Sequence, residues 1–383
     1  MVTRSFHSFV AENHYARTEL LTRRSKLVRR FKAADIDAIL ISGESNVRYL
    51  TGFTGDSTWL YLSKSKTILI SDSRYTTQIQ NECGELDVDI RDARKPMSVS
   101  VADIVRKAKP KRLGFEAGHL TFTQHASLAE KITTTDLVPT NGLTERLREV
   151  KDKWELKQIR EAIYMAERGI GVVRSSLKAD QSEREIRYIL EAAMRSFGAT
   201  GPGFEPIVGV GPTAALPHAH AGDLQVSQSP VLLVDWGAEA PSGYRSDITR
   251  VFITAKPTQQ MKTVYNTVLK AQQKAIAAIK PGKKCKDVDA IARKVIADAG
   301  FEKYFGHGLG HGFGLDIHES VRMSPLSDQT FEPGMVVTVE PGIYLPNRFG
   351  VRIEDDILVT NDGHEVLTSV PREFDDAIVE FLA

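Results

Sequence analysis

The chain has 383 residues, a formal net charge of +1, 42% hydrophobic residues and two cysteines. This length predicts two domains, and the balanced charge gives no electrostatic reason to bind nucleic acid or membrane surfaces. No apolar stretch is long enough for a signal peptide or a membrane span. Cys83 and Cys285 are far apart and imply no disulfide framework, so we expect reduced thiols in a cytoplasmic protein.

The first region alternates helical and strand patterns, which is typical of an α/β domain. Leu20, Leu27 and Phe31 recur at helical spacing in a basic segment, since eight Lys or Arg and two acids fall within the first 32 residues. An anion-binding arm is one interpretation, but a solvated amphipathic helix is preferred. Strands are predicted at 37–42, 67–70 and 112–115, and a helix is predicted at 101–108.

The second region has a repeating order of predicted elements. A charged segment at 145–157 is predicted to begin a long helix that runs to about Leu177, and we place the domain boundary near residue 150. No linker rich in Pro, Gly or Ser marks this boundary, so packed domains are expected. Two helices and a strand hairpin are followed by helices at 259–279 and 288–299 and a second hairpin. This order predicts an internal pseudo-twofold.

Two aspartates flank the first predicted hairpin. Asp235 follows the apolar run 231–234, so it is expected at or near the end of a buried strand. Asp247 precedes a second strand-like run at 248–253, and glycines and a proline between the runs supply turn residues. A hairpin here would place the two carboxylates side by side.

Two glutamates repeat this arrangement near the C-terminus. The run 336–339 leads into Glu340, and the run 351–353 leads into Glu354. His311 begins the segment HGFGLDIH between the two pairs. Buried unpaired carboxylates are costly, so four converging acids require a large positive charge, which two divalent cations would supply.

Each of these residues also has an ordinary structural interpretation. A single acid beside an apolar run is commonly a turn or cap residue, and one histidine in a glycine-rich stretch is more often structural than a ligand. The ordered combination of two acids, a histidine and two more acids is much harder to explain in this way. We therefore predict a two-metal hydrolase, in which the cations activate a shared water.

Four segments resemble the metallopeptidases with the pita-bread fold, the family of methionine aminopeptidase, aminopeptidase P and prolidase, whose fold the metal-free creatinase shares. These segments are LLVDWGAEAPSGYRSDITRVF, GHGLGHGFGLDIHES, GMVVTVEPGIYLP and GVRIEDDILVT. The segments NVRYLTGF and DSRY resemble the creatinase-type N-terminal domain of the proline-specific branch. The resemblance implies an α+β fold class, with an N-terminal creatinase-type α/β domain at 1–150 and a pita-bread catalytic domain at 151–383.

The resemblance implies a role for each predicted ligand. Asp235 resembles a terminal ligand of one metal, and Asp247 and Glu354 resemble the carboxylates that bridge both metals. His311 and Glu340 resemble the terminal ligands of the second metal. Manganese is the expected metal by resemblance, although oxygen-rich sites with one histidine also accept Co, Fe or Zn. The complete ligand set argues against a creatinase-like, metal-free function.

Four residues are expected to act on the substrate. His218 matches a family histidine suited to the leaving-group side, and His318 matches one suited to hydrogen-bonding the tetrahedral oxyanion. His307 matches a histidine typical of the proline-specific members. Glu340 is also expected to pass a proton from water to the leaving amine. For the histidines, packing is the structural alternative, and His220 is interpreted as structural or exposed.

The first aspartate pair departs from the family pattern. The spacing from Asp235 to Asp247 is one residue longer than expected, and Trp236 stands where a smaller apolar residue is commoner. An extra residue at the hairpin tip would leave the ligands in place. A bulge inside the hairpin would instead turn Asp247 to the wrong face.

The resemblance implies small peptides with proline second as substrates, a homodimer, and an N-terminal domain that limits substrate length. Dipeptide cleavage needs a group, usually an arginine, that reads the free carboxylate. The short stretch 319–339 contains only Arg322, which favours an Xaa-Pro aminopeptidase on longer peptides. Arg48, Arg74 and Arg348 remain candidate readers, so an Xaa-Pro dipeptidase is the alternative. A non-catalytic binding protein of this fold is a distant one.

Overall fold

The computed structural model describes residues 17–379 and 381. The first half of the basic segment, residues 1–16, therefore lies outside the described residues. The chain divides into two compact units, Met1–Arg148 and Glu149–Ala383. Within the described ranges, no helix combines the length and the apolar character that a membrane span requires.

The first unit is built on a mixed six-stranded sheet. Its elements are α1 (Arg17–Ala34), β1 (Ala38–Ile41), α2 (Glu44–Thr51), β2 (Trp59–Ser63), β3 (Thr67–Asp72), α3 (Thr76–Cys83), β4 (Asp87–Arg91), α4 (Met97–Ala108), β5 (Arg112–Glu116), α5 (Phe122–Lys131), β6 (Asp136–Thr140) and α6 (Glu145–Arg148). The strand order is β4-β3-β2-β1-β5-β6. β1–β5, β5–β6 and β3–β4 pair in parallel, and β1–β2 and β2–β3 pair antiparallel.

The predicted elements of this unit are present with shifted ends. Leu20, Leu27 and Phe31 are buried along one face of α1, as the helical spacing indicated. α4 begins at Met97, earlier than predicted.

The predicted long helix from Glu145 was wrong at its start. Residues 145–148 form the separate short helix α6, and the long helix begins only at Lys153. Asp152 caps this helix by accepting the backbone N–H of Glu155, and the Glu155 side chain accepts the N–H of Asp152 in return. This capping box defines the helix start, whereas the continuous charge of the segment concealed it.

The second unit repeats a pair of helices and a group of strands. Its elements are α7 (Lys153–Ser176), α8 (Glu183–Ser196), β7 (Gly201–Pro202), β8 (Ile207–Val210), β9 (Val231–Trp236), β10 (Ala238–Glu239), β11 (Ile248–Ile253), α9 (Gln259–Ala278), α10 (Cys285–Asp298), β12 (Gly310–His311), β13 (Arg322–Met323), β14 (Val336–Val339), β15 (Gly342–Leu345), β16 (Phe349–Arg352), β17 (Asp355–Val359) and β18 (His364–Val366). This unit contains two three-stranded sheets, with the strand orders β11-β9-β8 and β14-β17-β18.

The strands of the first of these sheets are buried on both faces. Leu232 and Val234 of β9 pack in one core with helices α7 and α8. Val231 and Leu233 pack in a second core with α9, α10 and the strands β14 and β17. Because side chains alternate along a strand, Asp235 is on the face of Leu233, toward the second core.

Candidate metal centre

The hairpin β9–β11 brings two of the predicted ligands to one face. The strands pair without interruption from Ile248 opposite Trp236 to Ile253 opposite Val231, so Thr249 is opposite Asp235. Asp247 is two residues before Thr249 and shares its face. The regular ladder contains no bulge, and the longer spacing is therefore taken up in the connection between the strands. The Trp236 indole is buried on the other face, where it donates to the Ala166 carbonyl at 2.9 Å.

The pairing of β14 with β17 brings the two glutamates together. Val339 is opposite Asp355, so the next positions outward on the two strands are Glu340 and Glu354. The predicted second hairpin thus contains an inner hairpin, β15–β16, that connects its two strands.

His311 reaches the same place because β12 packs closely on β14. A Cβ atom on Gly310 would lie only 2.1 Å from the carbonyl oxygen of Thr338, so a larger residue would force the strands apart. The His311 N–H donates to the Thr338 hydroxyl at 3.1 Å, and the Glu340 N–H donates to the Leu309 carbonyl at 2.9 Å.

All five predicted metal ligands therefore converge. Asp235, Asp247 and Glu354 each offer a carboxylate oxygen, and these three oxygens lie within 4.8 Å of one another. His311 Nε2 is 3.6 Å from Asp247 Oδ2 and 3.5 Å from Glu340 Oε1. Distances of this size leave room for cations between the side chains.

The electrostatics of the four carboxylates call for cations. Burial raises the pKa of Asp247 and of Glu354 well above its usual range, and neighbouring carboxylates raise each further. Burial also raises the pKa of Glu340 to about 8 and raises the pKa of Asp235, although Arg352 opposes both shifts. Asp235 Oδ1 is buried without a hydrogen-bond partner among the described residues. Such a set is unfavourable unless positive charge is added.

The histidine is arranged as a metal ligand would be. His311 Nδ1 lies 3.2 Å from the Gly312 carbonyl oxygen, to which it can only donate, so Nε2 carries the lone pair. Burial lowers the pKa of His311 to about 3, so the ring is neutral. Its Nε2 lone pair therefore faces the carboxyl groups of Asp247 and Glu340, which suits a site that holds divalent cations.

A buried arginine that sequence reasoning missed connects the ligands. Arg352 donates to Asp235 Oδ2 at 2.5 Å, to the Tyr344 hydroxyl at 2.8 Å and to the Thr249 hydroxyl at 3.1 Å. Thr249 in turn donates to Glu354 Oε2 at 2.6 Å. The signal in the sequence was an arginine inside an apolar strand run two residues before Glu354, an unusual place for an unpaired charge.

His307 is held at both ring nitrogens. Nδ1 donates to the Gly308 carbonyl at 2.8 Å, and Nε2 accepts from the Tyr344 hydroxyl at 2.9 Å. Burial lowers the pKa of His307 to about 4, which matches a neutral ring in this arrangement.

A cavity of about 550 Å³ opens over the five carboxylate and imidazole groups. His218, His307 and His318 line it, and Phe204, Ile207, Pro217, Ile317 and Met323 form its apolar wall. The His318 ring lies edge-on to His311, with 4.4 Å between the ring centroids. His220 is at the rim with its side chain 86% exposed.

Two arginines of the second unit line this cavity, Arg352, which is paired with Asp235, and Arg322. Among the described residues, the Arg322 guanidinium has no carboxylate partner. Burial first, and then the positive charge of Arg322, lower the pKa of His318. Arg348, another candidate reader, instead hydrogen-bonds Gln260 and does not line the cavity.

Comparison with known proteins agrees with this geometry. The family model of metallopeptidase family M24 matches residues 157–361, and that of the creatinase/prolidase N-terminal domain matches residues 23–150. The chain belongs to metallopeptidase family M24. As an M24 protein it is a peptidase of the proline-specific branch, with the pita-bread fold and a creatinase-type N-terminal domain.

Three similar proteins cover nearly all of this M24 peptidase. An Xaa-Pro dipeptidase from Pyrococcus horikoshii is 33% identical over 91% of this chain and 97% of its own length. The structure of an Xaa-Pro dipeptidase from Bacillus anthracis is 37% identical, covers 94% of this chain and 100% of that one, and has a TM-score of 0.89. The structure of an X-Pro aminopeptidase from Thermotoga maritima is 34% identical, covers 92% and 99%, and has a TM-score of 0.84.

Membership of family M24 implies divalent metal ions, and the buried acidic cluster fits them. The free energy of unfolding of the metal-free M24 protein should fall as pH rises, because folding raises the pKa of Glu340 from 4.5 to about 8. Between these values the unfolded state releases the proton first, so the free energy of unfolding decreases with pH.

A bound divalent metal should reverse this dependence, because it favours the ionised carboxylates. Urea unfolding at about pH 5 to 8, with and without manganese, tests it: the stability gained from the metal should widen as pH rises. A gap that stays constant or narrows would contradict the raised pKa values.

Proposed function

We propose that the protein is an Xaa-Pro dipeptidase, which hydrolyses dipeptides whose second residue is proline. The observation that carries the proposal is Arg322, whose guanidinium lines the same cavity as His318 and has no carboxylate partner among the described residues. A dipeptide places its free carboxylate one residue from the scissile bond, and a guanidinium is the side chain best matched to a carboxylate. This revises the expectation from sequence, in which the short stretch 319–339, with Arg322 as its single arginine, favoured an aminopeptidase.

We propose the same five residues as ligands of two divalent ions, for which manganese is the candidate. Asp235 would hold one ion, His311 and Glu340 would hold the other, and Asp247 and Glu354 would serve both. Their mutual distances and raised pKa values support this assignment. When bound, such ions polarise the scissile carbonyl and lower the pKa of a water.

The remaining groups act on the substrate. His318 donates to the oxyanion of the tetrahedral intermediate, and His218 contacts the leaving-group side. Glu340 accepts the proton of the attacking water and delivers it to the departing proline nitrogen, as a general base and then a general acid. The Xaa-Pro bond has no N–H, and this arrangement requires none from the substrate. His307 acts through Tyr344, which also contacts Arg352.

The role of Arg322 can be tested with an Xaa-Pro dipeptide and its C-terminal amide, which lacks the negative charge. Arg322→Gln should raise KM for the dipeptide by about 10- to 100-fold, the value of a charged hydrogen bond, and change KM for the amide much less. Arg348→Gln, outside the cavity, is the matched control. Equal losses on both substrates would show that Arg322 does not read the carboxylate.

An Xaa-Pro aminopeptidase is the second candidate, favoured by the similarity to the Thermotoga maritima X-Pro aminopeptidase. Comparing an Xaa-Pro dipeptide with an Xaa-Pro-Yaa tripeptide, with manganese supplied, separates the two. A higher kcat/KM on the tripeptide would select the aminopeptidase. In either case, substitution of the proline by alanine should lower kcat/KM. The proposal retains a homodimer, which light scattering tests.

A further inference from the structure

A buried ion pair includes Glu319, the residue that follows His318 in the chain. Lys151 Nζ is 3.0 Å from Glu319 Oε2, and the two side chains are 1% and 4% exposed. Two charges withdrawn from water in this way are costly to bury and are sensitive to geometry. Neither residue lines the cavity, and neither belongs to the proposed catalytic machinery.

Glu319 is the residue after His318, and its position fixes the end of a tight loop. The Glu319 N–H donates to the Gly312 carbonyl at 2.7 Å, which closes the loop from Gly312 to Glu319. The Glu319 side chain then folds back beneath the loop, where a Cβ atom on Gly314 would lie 2.9 Å from its Oε1. The backbone position of His318 therefore depends on where the Glu319 side chain is held.

Lys151 is held to the strand that leads into Glu340. Its N–H donates to the Gly334 carbonyl at 2.8 Å, and Val150 forms a bridge with Met335 just before β14. These contacts fix the backbone of Lys151 relative to the strand that leads into Glu340. From there its ammonium group reaches the carboxylate of Glu319, the residue after His318.

We propose that the Lys151–Glu319 pair is a positioning device, which sets the His318 ring over the centre at the oxyanion position. The inference rests on the proposed function, since it takes His318 as the oxyanion donor. It assigns Lys151 and Glu319 no contact with the substrate. Their effect on the rate acts through His318.

The test is a double-mutant cycle on kcat. Lys151→Met should lower kcat by about 10- to 100-fold, because small displacements of a catalytic group have effects of this size. In a His318→Ala background the same substitution should lower kcat by less than about twofold, because the group it positions is already absent. Lys151→Arg should restore most of the activity. Metal content should be unchanged in every variant.

Two further variants keep the test decisive. Lys153→Met removes an exposed lysine nearby and should leave kcat unchanged. If Lys151→Met does not fold, Glu319→Gln replaces it in the cycle, because it retains a polar side chain. It should also lower kcat, and this effect should disappear in the His318→Ala background. Equal fold-losses with and without His318, or loss of metal in Lys151→Met, would overturn the positioning role.

The cycle also separates this inference from the function beneath it. Normal kcat in Lys151→Met with impaired kcat in His318→Ala would overturn only the positioning role. Normal kcat in His318→Ala would overturn the oxyanion assignment and the positioning role together.

Discussion

Asp247→Asn or Glu354→Gln should lower peptidase activity by about 1,000-fold or more, because bound metal supplies several kcal/mol of charge stabilisation. The bound metal should fall in parallel with the activity. Both carboxylates are buried in the middle of the ligand set, and each would serve both ions. An amide keeps the size of the side chain but removes the charge that each ion requires.

Elemental analysis after gel filtration, together with hydrolysis of an Xaa-Pro dipeptide, measures both effects on one sample. Asp362→Asn, an exposed aspartate outside the centre, is the matched control and should keep both activity and metal. Two tightly bound metal ions in either bridging variant would refute the bridging assignment. Loss of activity with full metal content would point to a catalytic role for the carboxylate instead.

His318→Ala should lower kcat by about 100-fold or more, which is the usual effect of removing an oxyanion donor. KM should change little, because the hydrogen bond forms mainly in the transition state. Metal occupancy should remain as in the unaltered protein, since His318 is beside His311 but is not among the proposed ligands. Steady-state kinetics on the dipeptide, with metal analysis, measures all three.

The control for this experiment is His364→Ala. His364 hydrogen-bonds the Ile279 carbonyl and lies outside the cavity, so its loss should not affect kcat. A near-normal kcat in His318→Ala would show that the ring only packs against His311. A fall in metal content would make His318 a ligand or a support of one.

The two hairpins show which features the local sequence pattern could predict. Apolar runs that end in acids placed Asp235, Asp247, Glu340 and Glu354 at strand ends, because alternation and turn residues are properties of neighbouring positions in the chain. The same patterns indicated the helices α9 and α10 and the order of helices and hairpins. They did not locate the start of α7, since a capping box within a charged segment is easily overlooked.

Contacts between distant segments were decided only by the tertiary structure. Arg352 joins Asp235, Thr249 and Tyr344 because four strands, β9, β11, β15 and β16, pack together, and no spacing in the chain encodes that geometry. In the sequence, the short stretch 319–339 with Arg322 as its single arginine favoured an aminopeptidase, yet Arg322 of β13 lines the cavity. Residue types and local periodicity thus determined which groups could bind metal. Strand register and packing determined which of them meet, and which charge remains available to a substrate.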